Sequence, residues 1–230
     1  ATLLAVAPPD LGGIQLRALP GPVRETWLDY LRALLADDVP VRRIPSHVNT
    51  AALLGGLDLS ATLQAGRPVA QQGLLVACHG GLALLAMAER AASGTIAQLA
   101  RAMDFGEVVL ERDGLAARHP AAFAVVALDE SVGPDEALSP VLADRLALRI
   151  DLHPLGIHDL AESGWERAAV DEARSVLPAV GYNDEAIEQL ALLARSLGVD
   201  SMRAGLLALR TARAAAALRG STSVGTEDLG

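Results

Sequence analysis

Four short apolar runs, at residues 14–18, 82–86, 123–128 and 147–152, lie between stretches of helical spacing. The run at 82–86 is short and uninterrupted, as suits a strand buried on both faces, and strands that alternate with helices build a largely parallel sheet. Residues 41–44 read as a further short strand. Beyond Leu152 no strand pattern appears. Residues 161–177, 183–197 and 201–218 all carry helical periods, with Asn183 capping the second and Gly181 and Gly198 in the loops. The expected architecture is an α/β domain over residues 1–152, then an all-helical domain over 153–230.

The first strand leads into a Gly/Pro turn and an amphipathic helix over 23–35, with Val23, Trp27, Leu31 and Leu34 on one face. That is the layout of a phosphate-binding loop, in which backbone N–H groups and a helix N-terminus cradle phosphates. The usual pattern is G-x-x-x-x-G-K-[ST], with the lysine on phosphate and the hydroxyl on Mg²⁺. Aligned on the helix start, the slots from Ala18 to Thr26 keep Gly21 as their glycine, put Arg24 in place of lysine, and put Glu25 in place of the hydroxyl, with Thr26 one residue late. All 19 basic residues are arginine, so no lysine is available from elsewhere in the chain. A phosphate about 4 Å from Glu25 would be repelled by roughly 4 kcal/mol per charge pair at an effective dielectric near 20, and Pro22 removes one loop N–H. Arg24 could offset part of that; its plainer alternative is an exposed helix residue.

Between these landmarks, Asp58 or Ser60 can cap a short helix to Ala65. Residues 73–77 and 82–86 flank a turn at His79-Gly80-Gly81, and 89–102 read as a helix weakened at Ser93-Gly94. Residues 108–111 and 115–117 read as a β-hairpin with Asp113-Gly114 in its turn, and 138–145 as a short helix. Thr226, followed by Glu227 and Asp228, looks like the N-cap of a helix that continues past the given sequence.

The net charge of −9 argues against nonspecific nucleic-acid binding, which needs a phosphate-neutralising surface. No apolar stretch reaches the roughly 18 residues of a membrane span, and no signal peptide is visible. The single cysteine, Cys78, lies in an apolar segment. It suits a reducing cytoplasm and reads as buried packing.

The order of these stretches resembles magnesium chelatase across nearly the whole chain: Gly55-Gly56-Leu57-Asp58-Leu59, Gly73-Leu74-Leu75 with His79-Gly80-Gly81, the Glu111-Arg112-Asp113-Gly114 hairpin, and Leu142-Ala143-Asp144-Arg145. The resemblance is to the AAA+ module of the D subunit, whose motifs are decayed relatives of those in the ATP-hydrolysing I subunit. It implies an AAA+ P-loop-type α/β domain followed by a small helical lid, and, further along the chain, an acidic proline-rich linker and an integrin-I-like domain.

The resemblance also assigns roles slot by slot. The Walker B pair, which holds Mg²⁺ and polarises water, falls on Ala86 and Met87, and neither can do either. Glu89, two residues further on, is expected to point elsewhere. The sensor-1 position falls on Asp129 and Glu130, which cannot donate a hydrogen bond when ionised. Arg145 matches the arginine finger that one AAA+ subunit projects into its neighbour's nucleotide; a surface ion pair with Asp144 or Asp135 is the alternative. Arg203 matches sensor 2 at the start of a lid helix, or is a solvated first-turn residue. Gly21, Arg24, Thr26 and Arg203 would then form a degenerate nucleotide site with no metal ligand, ATP and Mg²⁺ being bound mainly by a partner.

The function implied is a non-hydrolysing AAA+ platform, forming a ring with an I-type ATPase and working with a large porphyrin-binding subunit to insert Mg²⁺ into protoporphyrin IX. Nucleic acid and membrane are not among the expected partners, and the expected compartment is the cytoplasm. The absence of lysine hints at a GC-rich bacterial genome and so at bacteriochlorophyll synthesis. The rival readings are an active chelatase-like or MoxR-like ATPase, which needs a carboxylate near Ala86, and a protein-binding module with no nucleotide role.

Overall fold

A computed structural model describes the chain except for Pro68, Asp113, Gly114, Pro134, residues 161–163 and Gly230. Nine strands are present among the described residues: β1 Gly13–Arg17, β2 Val41–Ile44, β3 Gly55–Leu57, β4 Ala70–Gln72, β5 Leu82–Leu85, β6 Glu107–Arg112, β7 Leu115–Pro120, β8 Ala124–Asp129 and β9 Leu148–Asp151. Five of them form one parallel sheet in the order β2-β5-β8-β1-β9. The expected α/β class with a parallel sheet is what the chain adopts.

The central strands of the sheet bury both faces, while the edge strands β2 and β9 leave Arg42, Arg43, Arg149 and Asp151 exposed. Along β5, Leu82 and Leu84 pack on one side while Ala83 and Leu85 pack on the other; along β8, Val126 and Leu128 oppose Val125 and Ala127. This is the two-residue alternation of a pleated strand with no polar face to leave in water. Helix Pro22–Ala33 covers the first side through Leu28 and Leu31, and helix Ser93–Phe105 covers the second through Ile96 and Leu99.

Residues 1–11, to which the sequence reading gave no structure, form helices Thr2–Val6 and Pro8–Leu11. Leu4, Ala5 and Val6 join Val170, Ala173, Ala212 and Ala216 in the core on the β1 side, which thus runs on into the helices after β9. Those helices are Arg167–Val176, Asp184–Ser196 and Met202–Leu218. Asn183 and Ser201 cap the last two through their side-chain oxygens, as the sequence indicated for Asn183.

Several local expectations are corrected. Residues 73–77, read from the sequence only as an apolar run beside a turn, hold a short helix, Leu74–Ala77. The single helix expected over 89–102 is a 3₁₀ turn, Ala88–Arg90, followed by a separate helix. The break falls at Ala91 and Ala92, whose extended backbone separates the two, while Met87, with a left-handed φ of 45°, turns the chain sharply between β5 and the 3₁₀ turn. An antiparallel pair, β3–β4, joined through the helix Leu59–Ala65, has no counterpart in the sequence reading. Thr226 does not cap a helix: Thr226–Asp228 is one 3₁₀ turn, and Asp228 is held by Arg219. The hairpin turn at Asp113-Gly114 lies outside the described residues.

Candidate functional site

Parallel register sets which side chains meet at each edge of the sheet. β1 and β8 pair Arg17 with Asp129, and the Ala18 N–H extends the ladder to the Asp129 carbonyl at 2.9 Å. The phosphate-loop residues and Glu130 therefore leave the sheet side by side at its carboxyl edge, the place where open α/β sheets hold ligands.

At that edge Arg24 is not an exposed helix residue. Its side chain is 6% accessible and donates to Glu130 Oε1 from Nη1 at 2.7 Å. Glu25 makes a longer contact of 3.4 Å and stays largely in water. Glu130 is itself only 18% accessible. Its N–H donates to Glu89 Oε2 at 3.0 Å, and the Glu89 side chain is fully buried. The turn at Met87 thus brings Glu89 back beneath the strand end, against the expectation that it would point away. Sequence spacing could not reveal this, because it depends on a left-handed methionine that no propensity favours.

The Walker B slots, Ala86 and Met87, carry no carboxylate, and Gly21 precedes the helix with an extended backbone. Thr26 lies one residue past the slot where a metal-holding hydroxyl is needed. The donor set does not fit a Mg²⁺-nucleotide, since the cation meant for phosphate is enclosed against a carboxylate. Among the described residues no group of His, Cys, Asp and Glu has a metal-binding arrangement.

Beside this edge, a cleft of about 300 Å³ opens at the ends of β1, β8 and β9. Gln15 spans its floor, donating to Asp129 and accepting from Arg149 Nε at 2.7 Å.

Arg145 and Arg203 lie at the opposite edge. Arg145 precedes β9, and its carbonyl lies so close to Gly12 that a Cβ there would sit 2.1 Å from it. Gly12 is just before β1, so the length of β1, roughly 13 Å at 3.3 Å per residue, separates Arg145 from the loop at Gly21. Arg203 joins Arg145 and not Arg24. Both guanidinium groups bond Asp104, Arg145 through Nε (3.0 Å) and Nη2 (2.6 Å), Arg203 through Nη1 (3.0 Å). Arg203 Nε also reaches Asp144 at 3.1 Å, where Ser201 donates its hydroxyl at 2.6 Å. Arg145 therefore pairs with Asp104, and neither Asp144 nor Asp135 is its partner. The Arg145 hydrogen bond, with the two positive charges, holds the Asp104 carboxyl below its usual range despite some burial. Around this cluster lies a cleft of about 190 Å³ that also takes in Arg210.

The structure thus brings Gly21, Arg24 and Thr26 together at one edge, and Arg145 and Arg203 together at the other. No helix among the described residues is long and apolar enough to cross a membrane.

Residues 187–230 match the family model described as the AAA lid domain. The chain is 38% identical to the magnesium-chelatase 60 kDa subunit of Rhodobacter capsulatus and 41% identical to that of Cereibacter sphaeroides, in each case over 99% of its own length and 37% of the relative's. It spans, then, a little over a third of those relatives. Against the 38 kDa magnesium-chelatase subunit of Rhodobacter capsulatus it is 30% identical over 98% of its length and 72% of that subunit's. Among solved structures, a putative ATPase from Cytophaga hutchinsonii superposes with a TM-score of 0.71 at 17% identity, covering 99% of this chain and 77% of the other. That likeness, with the parallel sheet and the lid match, makes the fold an AAA+ α/β domain followed by a helical lid.

Proposed function

This chain belongs to the magnesium chelatase family, and from that premise we propose that it is a non-hydrolysing AAA+ platform in a magnesium chelatase. On this reading it docks on an I-type ATPase in a ring and, with a porphyrin-binding large subunit, supports ATP-driven insertion of Mg²⁺ into protoporphyrin IX. The setting is (bacterio)chlorophyll synthesis in the cytoplasm. The α/β domain ends near residue 152 and the lid begins near 153. ATP and Mg²⁺ belong mainly to the partner subunit.

The observation that carries this reading is the division of the cations between the two edges. Arg24 is enclosed against Glu130 at the phosphate-loop edge, where Ala86 and Met87 offer nothing to a metal or a water. Loss of the water-polarising carboxylate removes general-base help that typically contributes 10²–10⁴-fold. At the other edge, Arg145 and Arg203 line a cleft with Arg210, and Arg145 would meet phosphate held by a neighbour by exchanging its Asp104 contacts for it. A guanidinium so placed stabilises transition-state charge without needing a nucleotide in its own subunit.

The test has two parts. Purified chain with MgATP should release phosphate no faster than a buffer control. Mixed with an I-type ATPase, it should co-elute on gel filtration and alter that ATPase's turnover. Steady Mg²⁺-dependent release that survives repurification would favour the rival ATPase reading, for which the buried Glu89 would be the first residue to replace.

A further inference from the structure

The phosphate loop of this chain has lost its lysine, yet its replacement is one of the few buried charged residues of the fold. Arg24 is 5% exposed as a residue. A guanidinium withdrawn from water to that extent needs a counter-charge, or the cost of desolvation falls on the folded state. The counter-charge is Glu130, 2.7 Å from Nη1. Glu130 occupies the position after β8 that faces the phosphate loop, fixed there by the β1–β8 register and by the Ala18 bond to Asp129. Behind it, Glu89 accepts the Glu130 N–H and locks the backbone. Arg24 and Glu130 are 106 residues apart, so nothing local forces them to meet.

We propose that the Glu130 carboxylate is the resident anion of this phosphate site, standing against Arg24 where a nucleotide phosphate stands against a lysine. The inference rests on the reading of the chain as a non-hydrolysing subunit and deepens it. The site is closed by an internal ion pair, not merely weakened by lost motifs. With the anion built in, the phosphate-loop edge is held together in all nucleotide conditions, and nucleotide has no cation to compete for. A carboxylate is a suitable surrogate because it presents two acceptor oxygens to a guanidinium with the geometry of a charge-assisted pair.

Calorimetric titration of the chain with inorganic tripolyphosphate, and separately with MgADP, tests this. Wild type should bind neither through Arg24 at millimolar concentration, so that Arg24→Gln leaves its titration unchanged. Glu25→Ser, which removes the exposed repelling carboxylate but leaves Glu130, should also bind neither. Glu25→Ser/Glu130→Asn should gain binding at least tenfold above the wild-type limit, and adding Arg24→Gln should abolish it. Equal binding by Glu25→Ser alone would overturn the proposal, because the obstacle would then be Glu25. So would a folded double variant that binds nothing.

Urea midpoints supply a second measurement that needs no ligand. Glu130→Gln removes the buried counter-charge of Arg24 and leaves it only the longer contact with Glu25 as an ion pair, so Arg24→Gln/Glu130→Gln should unfold at a higher urea concentration than Glu130→Gln alone. A double variant that folds where Glu130→Gln does not gives the same support; additive losses would overturn the pairing. If no variant at Glu130 folds, the wild-type titration decides, and tripolyphosphate binding by wild type that Arg24→Gln removes would overturn it. Failure of the platform reading would appear elsewhere, as phosphate release by the wild-type chain or as unchanged turnover of the I-type ATPase on mixing.

Discussion

Arg145 and Arg203 share one carboxylate. Asp104 receives two hydrogen bonds from the first and one from the second, which ties the start of the lid helix Met202–Leu218 to the segment entering β9. Asp104 lies at the end of helix Ser93–Phe105, so a single side chain joins three elements. Two guanidinium groups this close repel one another unless an anion lies between them.

Asp104→Ala should therefore loosen the lid contact. Exposed ion pairs contribute little, but this carboxylate is only 26% accessible and is held in part by a bidentate arginine. The expected loss is about 1–2 kcal/mol, which lowers Tm by about 3–6 °C in a chain of this size. An unchanged Tm would reduce the cluster to a surface ornament.

The same residue gives a pH dependence of known sign. Its pKa is depressed in the fold, chiefly by the Arg145 hydrogen bond. A depressed acid contributes stability that is present above its unfolded value, about 3.9, and lost as pH falls through the folded value. The Tm gap between wild type and Asp104→Asn should stay constant from pH 7 to pH 5 and shrink below about pH 4. A gap that widens on acidification would contradict the assignment.

Cys78 ends the short helix Leu74–Ala77 and is fully buried, with its thiol pushed up to about 12 by that burial. At pH 8 about one thiol in 10⁴ is ionised. Alkylation by iodoacetamide should be slow in the native chain and fast in urea. Rapid native labelling would show that the packing around β5 opens readily.

Gly12 and Gly94 offer a contrast within one chain. Gly12 has φ of 65°, and a Cβ there would sit 2.1 Å from the Arg145 carbonyl, whereas Gly94 lies in the first turn of a helix with nothing within 4 Å. Gly12→Ala should cost about 3 kcal/mol or more. Gly94→Ala should be neutral or stabilise by about 0.5 kcal/mol. Urea midpoints read both. A mild Gly12→Ala would mean that the approach of Arg145 to β1 is not fixed by this glycine.

The parallel sheet was legible from its central strands β5 and β8, apolar on both faces, a pattern that needs no partner information. The lid helices were legible from caps such as Asn183 and from helical spacing. Glu89 was misjudged because its direction is set by the left-handed turn at Met87, and the Arg24–Glu130 pair because register, not spacing, brings those residues together. Arg203 was grouped with the phosphate loop on resemblance alone. Its place beside Arg145 follows from how the lid packs on helices Thr2–Val6 and Pro8–Leu11, whose burial no local pattern announced.

Arg145→Ala tests whether this module acts on ATP bound by a neighbour. The guanidinium is held by Asp104 and by the Val141 carbonyl, and it lines a cleft at the edge away from its own phosphate loop. Its removal leaves Asp104 paired with Arg203, so the chain should still fold and dock, with a loss of stability no larger than that of Asp104→Ala. In a related phosphoryl-transfer case, an arginine supplied across an interface contributes about 10³–10⁵ to the rate. Turnover of a mixed complex should therefore fall by nearly the whole share of those sites that face this module. Arg203→Ala should act in the same direction, because Arg203 lines the same cleft and not its own phosphate loop. Turnover of each mixed complex, with assembly checked by gel filtration, separates the outcomes. Unchanged turnover with Arg145→Ala would make the residue a structural clamp on Asp104. Lost co-elution would make it an interface residue whose role precedes any chemistry.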